Sequence, residues 1–293
     1  MLEEKVRELS SKLQRLLEEY YVDPLNLDFP EIRNSLLSLF KGKLVRISKP
    51  KKVVFVGDLH GDFESLEKIY GIYSGEKNAL VVFLGDYVDR GPKQLETLLG
   101  ALIWKAEKPD KVVMLRGNHE SPGMNIYYGF IASLKSSFGM LSDLFYRAFV
   151  EPLYLKLPIA FLADWGDKRV FAVHGGLPIE PLKVEDIEKI EPELNPSNPV
   201  LMQLLWNDPN DMIEDYAESF RGPGIYVFGR RIFERFVKEN NVDLVVRAHE
   251  PVHGVRVMFN NRLYTVFTCR YYRIRPAVLE VDEDLEIKPV FID

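Results

Sequence analysis

Val53-Val54-Phe55-Val56-Gly57-Asp58-Leu59-His60-Gly61 decides the fold. Four apolar residues, three of them β-branched, run straight into a glycine, an acid and an imidazole. A short continuous apolar run bounded by a turn signal reads as a strand buried on both faces. The pattern recurs. Leu80-Val81-Val82-Phe83-Leu84 ends at Gly85-Asp86, and Val112-Val113-Met114-Leu115 ends at Arg116-Gly117-Asn118. Residues 64 to 73 and 93 to 107 read as helices, which gives a β-α-β-α-β unit with mainly parallel strands. Phe171-Ala172-Val173 before His174-Gly175-Gly176, and Asp243 to Val246 before Arg247-Ala248-His249, repeat the design. Open α/β sheets bind ligands beyond the carboxyl ends of their strands, and each of these turns lies there.

Outside this unit the signals differ. Leu2, Val6, Leu9, Leu13, Leu16 and Tyr20 are spaced three and four apart, as on one face of a helix. A second helix is expected over 30 to 41. Residues 1–48 thus read as a helical cap on a main unit of 49–293, the two forming one structural domain. The stripe lasts under three heptads, so packing on the chain's own core is preferred to a coiled-coil partner. Residues 120 to 158 read as mostly helical, 191 to 200 with three prolines as a loop, and 230 to 240 as a helix. Residues 255 to 291, with a turn at Asn260-Asn261, suggest antiparallel strands. The fold class is α/β, with two β-sheet layers and flanking helices.

Composition excludes several classes. The 293 residues can bury a large core, and 46% apolar with 28% charged residues is ordinary for a globular chain. A net charge of -6 argues against bulk nucleic-acid binding and against an anionic membrane surface. No run approaches the roughly 18 apolar residues of a membrane span, and the N-terminus lacks a signal-peptide pattern. Cys269 is the sole cysteine, so neither an intramolecular disulfide nor a multi-thiolate zinc site can form. This favours a reducing, cytoplasmic setting. Three glutamines beside abundant Glu and Lys hint at a thermophilic source.

The histidines carry the functional signal. Four of five (His60, His119, His174 and His249) sit in the turns after these strands, His60 close to Asp58 and His119 next to Asn118. Chance placement explains this poorly. Mixed oxygen and imidazole donors suit manganese, iron or zinc rather than thiolate-preferring metals. Asp58 and His60 could chelate one ion, Asp86 could bridge two, and Asn118, His174 and His249 could complete the second. A metal pair clamps phosphoryl oxygens and lowers the pKa of a shared water for in-line attack on phosphorus.

The segments Gly57 to Gly61, Gly85 to Gly91 and Arg116 to Glu120 resemble the signature of the phosphoprotein phosphatase family of serine/threonine phosphatases, within the calcineurin-like metallophosphoesterases. The likeness continues through His174-Gly175-Gly176-Leu177, Leu205 to Pro209, Arg221-Gly222 and Arg247-Ala248-His249. It covers roughly 45 to 272 and points to a prokaryotic or archaeal member. The resemblance implies a two-layered β-sandwich and two divalent ions, manganese first with iron or zinc as alternatives. Asp58, His60 and Asp86 would hold one ion, and Asp86, Asn118, His174 and His249 the other. His119, oriented by Asp89, would be the general acid. Arg90, Arg221, Asn118 and Tyr272 would bind phosphate. Phosphorylated proteins would be the substrates, with a regulatory subunit as a possible partner.

The resemblance makes Arg116 a structural support, and Arg247 reads the same way. Glu120 reads as a residue behind the ligands, Trp206 as core, and Gly222-Pro223-Gly224 as a turn. Relatives carry Ser-Ala-Pro-Asn-Tyr-Cys where this chain has Thr268-Cys269-Arg270-Tyr271-Tyr272-Arg273. Arg270, Arg273 and Arg275 there either attract a phosphopeptide or form a solvated loop. Two other functions use the same motifs: a dinucleoside polyphosphate hydrolase and a non-catalytic phosphoprotein-binding module. The complete set of ligands, acid and arginines disfavours the second.

Overall fold

The computed structural model describes residues 2–292. Its central feature is a pair of β-sheets packed face to face. One sheet runs in the order Ile287–Phe291, Ala277–Asp282, Lys52–Val56, Ala79–Phe83, Val112–Met114. The last three strands are parallel, with Val53 opposite Leu80 and Val81 opposite Val112. The other sheet runs Leu44–Ser48, Ala160–Asp164, Arg169–Val173, Leu244–Arg247, Leu263–Val266, Val255–Met258.

Three cores explain why the decisive strand is apolar at every position. Val53 and Phe55 face inward and pack with Phe161, Ala163, Ala172 and Val246 between the sheets. Val54 and Val56 face the opposite way, against helices Phe63–Tyr73 and Gln94–Glu107. On the far face, Phe171, Val173 and Val245 pack against helices Pro199–Trp206 and Arg230–Asn240. Successive side chains of a strand point to opposite faces, so a strand covered on both sides shows no polar alternation. The layers are helix, sheet, sheet, helix.

Helix Leu2–Val22 buries Leu2, Val6, Leu13, Leu16 and Leu17 and packs on Gln94–Glu107. Its stripe is therefore used within the chain. Three expectations need correction. The second helix is Asp28–Leu37 rather than 30 to 41. The proline-rich loop ends at Asn198, whose Oδ1 accepts from Val200 N and Leu201 N and caps helix Pro199–Trp206; proline at the first helical position is favourable there. Leu263–Val266 pairs antiparallel with Val255–Met258 but parallel with Leu244–Arg247. Leu44–Ser48 also contributes an edge strand, parallel to Ala160–Asp164, so the span 1–48 supplies part of the larger sheet as well as two helices.

Gly85 shows how tightly the turns interlock. Its φ is +111°, and a Cβ there would run into the backbone of Gly117 on the next turn. Both the left-handed backbone and the close approach require glycine. Gly85→Ala is expected to cost about 3 kcal/mol, the upper end of ordinary point substitutions, read as a lower melting temperature in metal-free protein.

Candidate active site

Parallel strands deliver their carboxyl ends to one edge. Asp58 and His60 follow Lys52–Val56, Asp86 follows Ala79–Phe83, and Asn118 and His119 follow Val112–Met114. From the facing sheet, His174 follows Arg169–Val173 and His249 follows Leu244–Arg247. An isolated parallel bridge between Asp58 and Phe267 ties the two sheets at this point. His60, Asp86, Asp89, Arg90 and His249 all have positive φ, between 45° and 72°. Left-handed backbone is uncommon outside glycine and clusters at functional sites.

All six sequence-predicted metal ligands come together and are buried. Asp86 Oδ2 lies 3.5 Å from His60 Nε2 and 3.4 Å from His174 Nε2. Asp58 Oδ2 lies 3.7 Å from His60 Nε2, and Asp58 Oδ1 accepts from the backbone N–H of His249 at 2.9 Å. The Nδ1 atoms of His60 and His174 face the carbonyls of Val88 and Leu84, each at 2.9 Å. That arrangement fixes the tautomer and turns a lone pair on Nε2 inward.

Three observations fit cations at this site. His249 Nε2 is buried without a hydrogen-bond partner. Burial lowers the His174 pKa, and a neutral imidazole has a single N–H. Yet His174 meets two acceptors, Leu84 O and Asn118 Oδ1, the latter 2.8 Å from Nε2. A cation between Nε2 and Oδ1 removes that conflict. Finally, burial pushes Asp86 up to about 8, and burial together with the Asp86 charge pushes Asp58 up to about 6. Bound cations would offset the cost of ionising such buried carboxylates. His60, Asp86 and His119 form one group with donor atoms within 4.8 Å, and Asp86, His174 and His249 form another. Asp86 is common to both.

His119 has a second partner set. Its Nδ1 lies 2.7 Å from Asp89 Oδ2, and its backbone N–H donates to Asp86 Oδ1 at 2.9 Å. Burial, and after it the Arg90 guanidinium, hold its pKa well below the usual imidazole value. The Asp89 carboxylate at contact distance opposes that shift by stabilising the imidazolium.

Arg90, Arg221 and Tyr272 line the same cleft of about 870 Å³ as Asp58, His60, Asp86, Asn118 and His249. The Arg90 guanidinium lies 4.6 Å from the Tyr128 ring centre and 5.7 Å from that of Tyr272. Arg221 Nε donates to Asp208 Oδ2 at 2.6 Å, and buried Arg247 holds Asp208 Oδ1 at 2.8 Å. Arg247 thus supports Arg221 from behind. Arg116 donates to the carbonyls of Glu120, Glu193 and Leu194, away from the cleft. The Glu120 carboxylate accepts from the N–H groups of Asp86, Tyr87 and Gly117 and so shapes the turn carrying Asp86.

Trp206, expected in the core, packs partly buried against the core of the larger sheet, and its ring also lies 5.6 Å from that of His249 and lines the cleft. The arginine cluster disperses. Arg270 pairs with Asp62 and Glu64, and Arg275 lies over the Phe291 ring. Two residues were missed. Tyr128 stacks on Arg90, and Asn125 donates to Asp89 Oδ2. Both belong to helix Pro122–Tyr128, where no local motif marks them.

The chain is similar to known proteins. The family model described as calcineurin-like phosphoesterase matches residues 51–253. The serine/threonine-protein phosphatase 4 catalytic subunit of Saccharomyces cerevisiae is 33% identical over 255 residues, covering 85% of this chain and 80% of that one. The "Probable serine/threonine-protein phosphatase" of Encephalitozoon cuniculi is 33% identical over 84% of this chain; the match spans 55% of that protein's length. Among solved structures, a Saccharomyces cerevisiae protein serine/threonine phosphatase with similarity to human phosphatase PP5 superposes with a TM-score of 0.79. It is 27% identical, and the match covers 89% of this chain and 87% of that one.

Proposed function

The chain belongs to the calcineurin-like phosphoesterases and, among them, to the serine/threonine protein phosphatases, and on that premise we propose that it hydrolyses phosphoserine and phosphothreonine monoesters in proteins. The observation that carries this reading is the meeting of three functions in one cleft: a buried two-group ligand set, a His119–Asp89 pair at 2.7 Å, and two braced guanidiniums.

Asp58, His60 and Asp86 would hold one divalent ion, and Asp86, Asn118, His174 and His249 a second. Manganese is the preferred metal, with iron or zinc as alternatives for this donor set. When bound, such a pair lowers the pKa of a shared water and neutralises phosphoryl charge. Arg90, stacked between two tyrosines, and Arg221, braced by Asp208, meet the phosphate as planar donors whose orientation is set beforehand. Asn118 and Tyr272 would add hydrogen bonds to the phosphate. A serine or threonine alkoxide leaves poorly without a proton. His119 supplies that proton from Nε2, and Asp89 at Nδ1 stabilises the imidazolium. A bound phosphate dianion acts in the same direction.

The helices before residue 44 brace this unit, because Leu2–Val22 shares one core with Gln94–Glu107. A regulatory subunit would dock outside the cleft. A reducing, cytoplasmic setting suits the single Cys269, a buried thiol that burial pushes up to about 12. No helix among the described residues is long and apolar enough to cross a membrane.

The test offers manganese-loaded protein a phosphothreonine peptide and diadenosine tetraphosphate side by side. Turnover of the peptide with little of the dinucleotide is expected. Turnover of the dinucleotide alone points to the polyphosphate hydrolase, and turnover of neither, despite bound metal, points to a binding module.

A further inference from the structure

Asn125 is fully buried behind the cleft, and every hydrogen-bonding capacity of its side chain is used. Nδ2 donates to Asp89 Oδ2 at 3.0 Å and to the backbone carbonyl of His119 at 2.8 Å. Oδ1 accepts from the hydroxyls of Tyr146 at 2.7 Å and Tyr154 at 2.9 Å. An amide offers two donors and one oxygen with two lone pairs, so nothing is left over. The orientation is also unique. Rotating the amide by half a turn would bring Oδ1 against a carboxylate and a carbonyl, three oxygens with no proton between them.

This geometry does something that a packing residue does not. One side chain ties down both members of the His119–Asp89 pair: the carboxylate of one and the backbone of the other. Phe130 N, donating to Asp89 Oδ1 at 3.1 Å, completes the clamp. The tyrosines come from a later stretch. Tyr146 opens a widened helical turn, Tyr146–Val150, and Tyr154 lies in the next helix, Glu151–Lys156. Eight residues apart on a regular helix, two side chains diverge by about 80°; the wider turn brings both hydroxyls to one oxygen. Widened turns of this kind are rare and occur preferentially at functional sites.

We propose that Asn125 is the positioning residue of the His119–Asp89 pair, held in a single orientation by Tyr146 and Tyr154. The inference rests on the reading of His119 as the general acid. Misplacement of a reacting group by about 1 Å can cost about 100-fold in rate, and the effect falls only on substrates whose leaving group needs a proton.

That selectivity is the test. Manganese-loaded Asn125→Ala, Tyr146→Phe/Tyr154→Phe and His119→Asn are assayed on a phosphothreonine peptide and on 2,4-dinitrophenyl phosphate, whose phenolate departs unprotonated. Asn125→Ala is expected to lower kcat on the peptide about 30-fold with KM nearly constant. It should change the aryl ester less than about threefold, with metal content retained. The double phenylalanine variant keeps the aromatic packing, should show the same selective loss to a smaller degree, and carries the test if Asn125→Ala does not fold. Equal loss on both esters, loss of metal, or no loss on the peptide overturns the proposal. His119→Asn distinguishes the failures. A selective loss there without one at Asn125 refutes only the positioning role. No selectivity at His119 refutes the acid and the positioning residue together.

Discussion

His119→Asn is expected to lower turnover of a phosphothreonine peptide by about 10³-fold, with the metal content by elemental analysis unchanged. The magnitude lies within the range of a positioned general acid. Asparagine keeps a polar amide near Asp89 but cannot transfer a proton at neutral pH. The contrast in metal content is informative because His119 also belongs to a donor group with His60 and Asp86. Its ring stands edge-on to that of His60, with centroids 4.6 Å apart. A ligand and an acid are both compatible with that proximity. The Nδ1 contact to Asp89 at 2.7 Å favours the acid, since a carboxylate there prepares an imidazolium. Loss of metal in proportion to activity would make His119 a ligand instead.

Asp86→Asn removes the one carboxylate common to both donor groups. Activity is expected to fall by at least 10³-fold, and manganese should no longer raise the melting temperature by several degrees. Ligand-linked stabilisation reaches about 4 kcal/mol at 1,000 times Kd, so its loss is measurable. The metal-free proteins should show a second difference. Burial raises Asp86 from 3.8, and Glu120 from 4.5, to about 8. Between those limits the folded state binds more protons than the unfolded one, so stability falls as pH rises. The imidazoles act oppositely: His60, His119, His174 and His249 are held down by burial and destabilise the fold most below their ordinary value of 6.5. An unfolded imidazole is still half protonated at 6.5, so this opposing effect fades over about one further pH unit and leaves the carboxyl effect dominant above about 7. The melting temperature of metal-free protein should therefore drop from about pH 7 to about 8, less steeply in Asp86→Asn, and manganese should flatten the slope in the parent. A flat profile without metal would contradict the buried-carboxylate picture.

The ligands were legible because each follows an apolar strand at once, where parallel packing fixes its position. Asp58, Asp86, Asn118, His174 and His249 needed no knowledge of distant contacts. Asn125, Tyr146 and Tyr154 did. They come from a helical stretch whose sequence shows only helical spacing, and their polar atoms matter only once folding brings them together. Trp206 is legible only in part: next to Leu204 and Leu205 it reads as core, against which it does pack, and only the approach of His249 makes it a cleft wall as well. In the two large sheets, Leu44–Ser48 and Ala160–Asp164 are not legible as strands. Leu-Val-Arg-Ile-Ser is short and half polar, and Ala-Phe-Leu-Ala continues a helical stretch without a breaker beyond Pro158. Pro199 reads as a loop residue until Asn198 caps the helix that it opens.

The central claim is that carboxylates, imidazoles and one amide from five separate turns seat two cations around Asp86. Anomalous diffraction from a crystal equilibrated with manganese at pH 7.5 tests it directly. Two peaks flanking the Asp86 carboxylate are predicted, one beside Asp58 and His60 and the other beside Asn118, His174 and His249, both lost in Asp86→Asn. A single peak, or none at this edge of the sandwich, would contradict it.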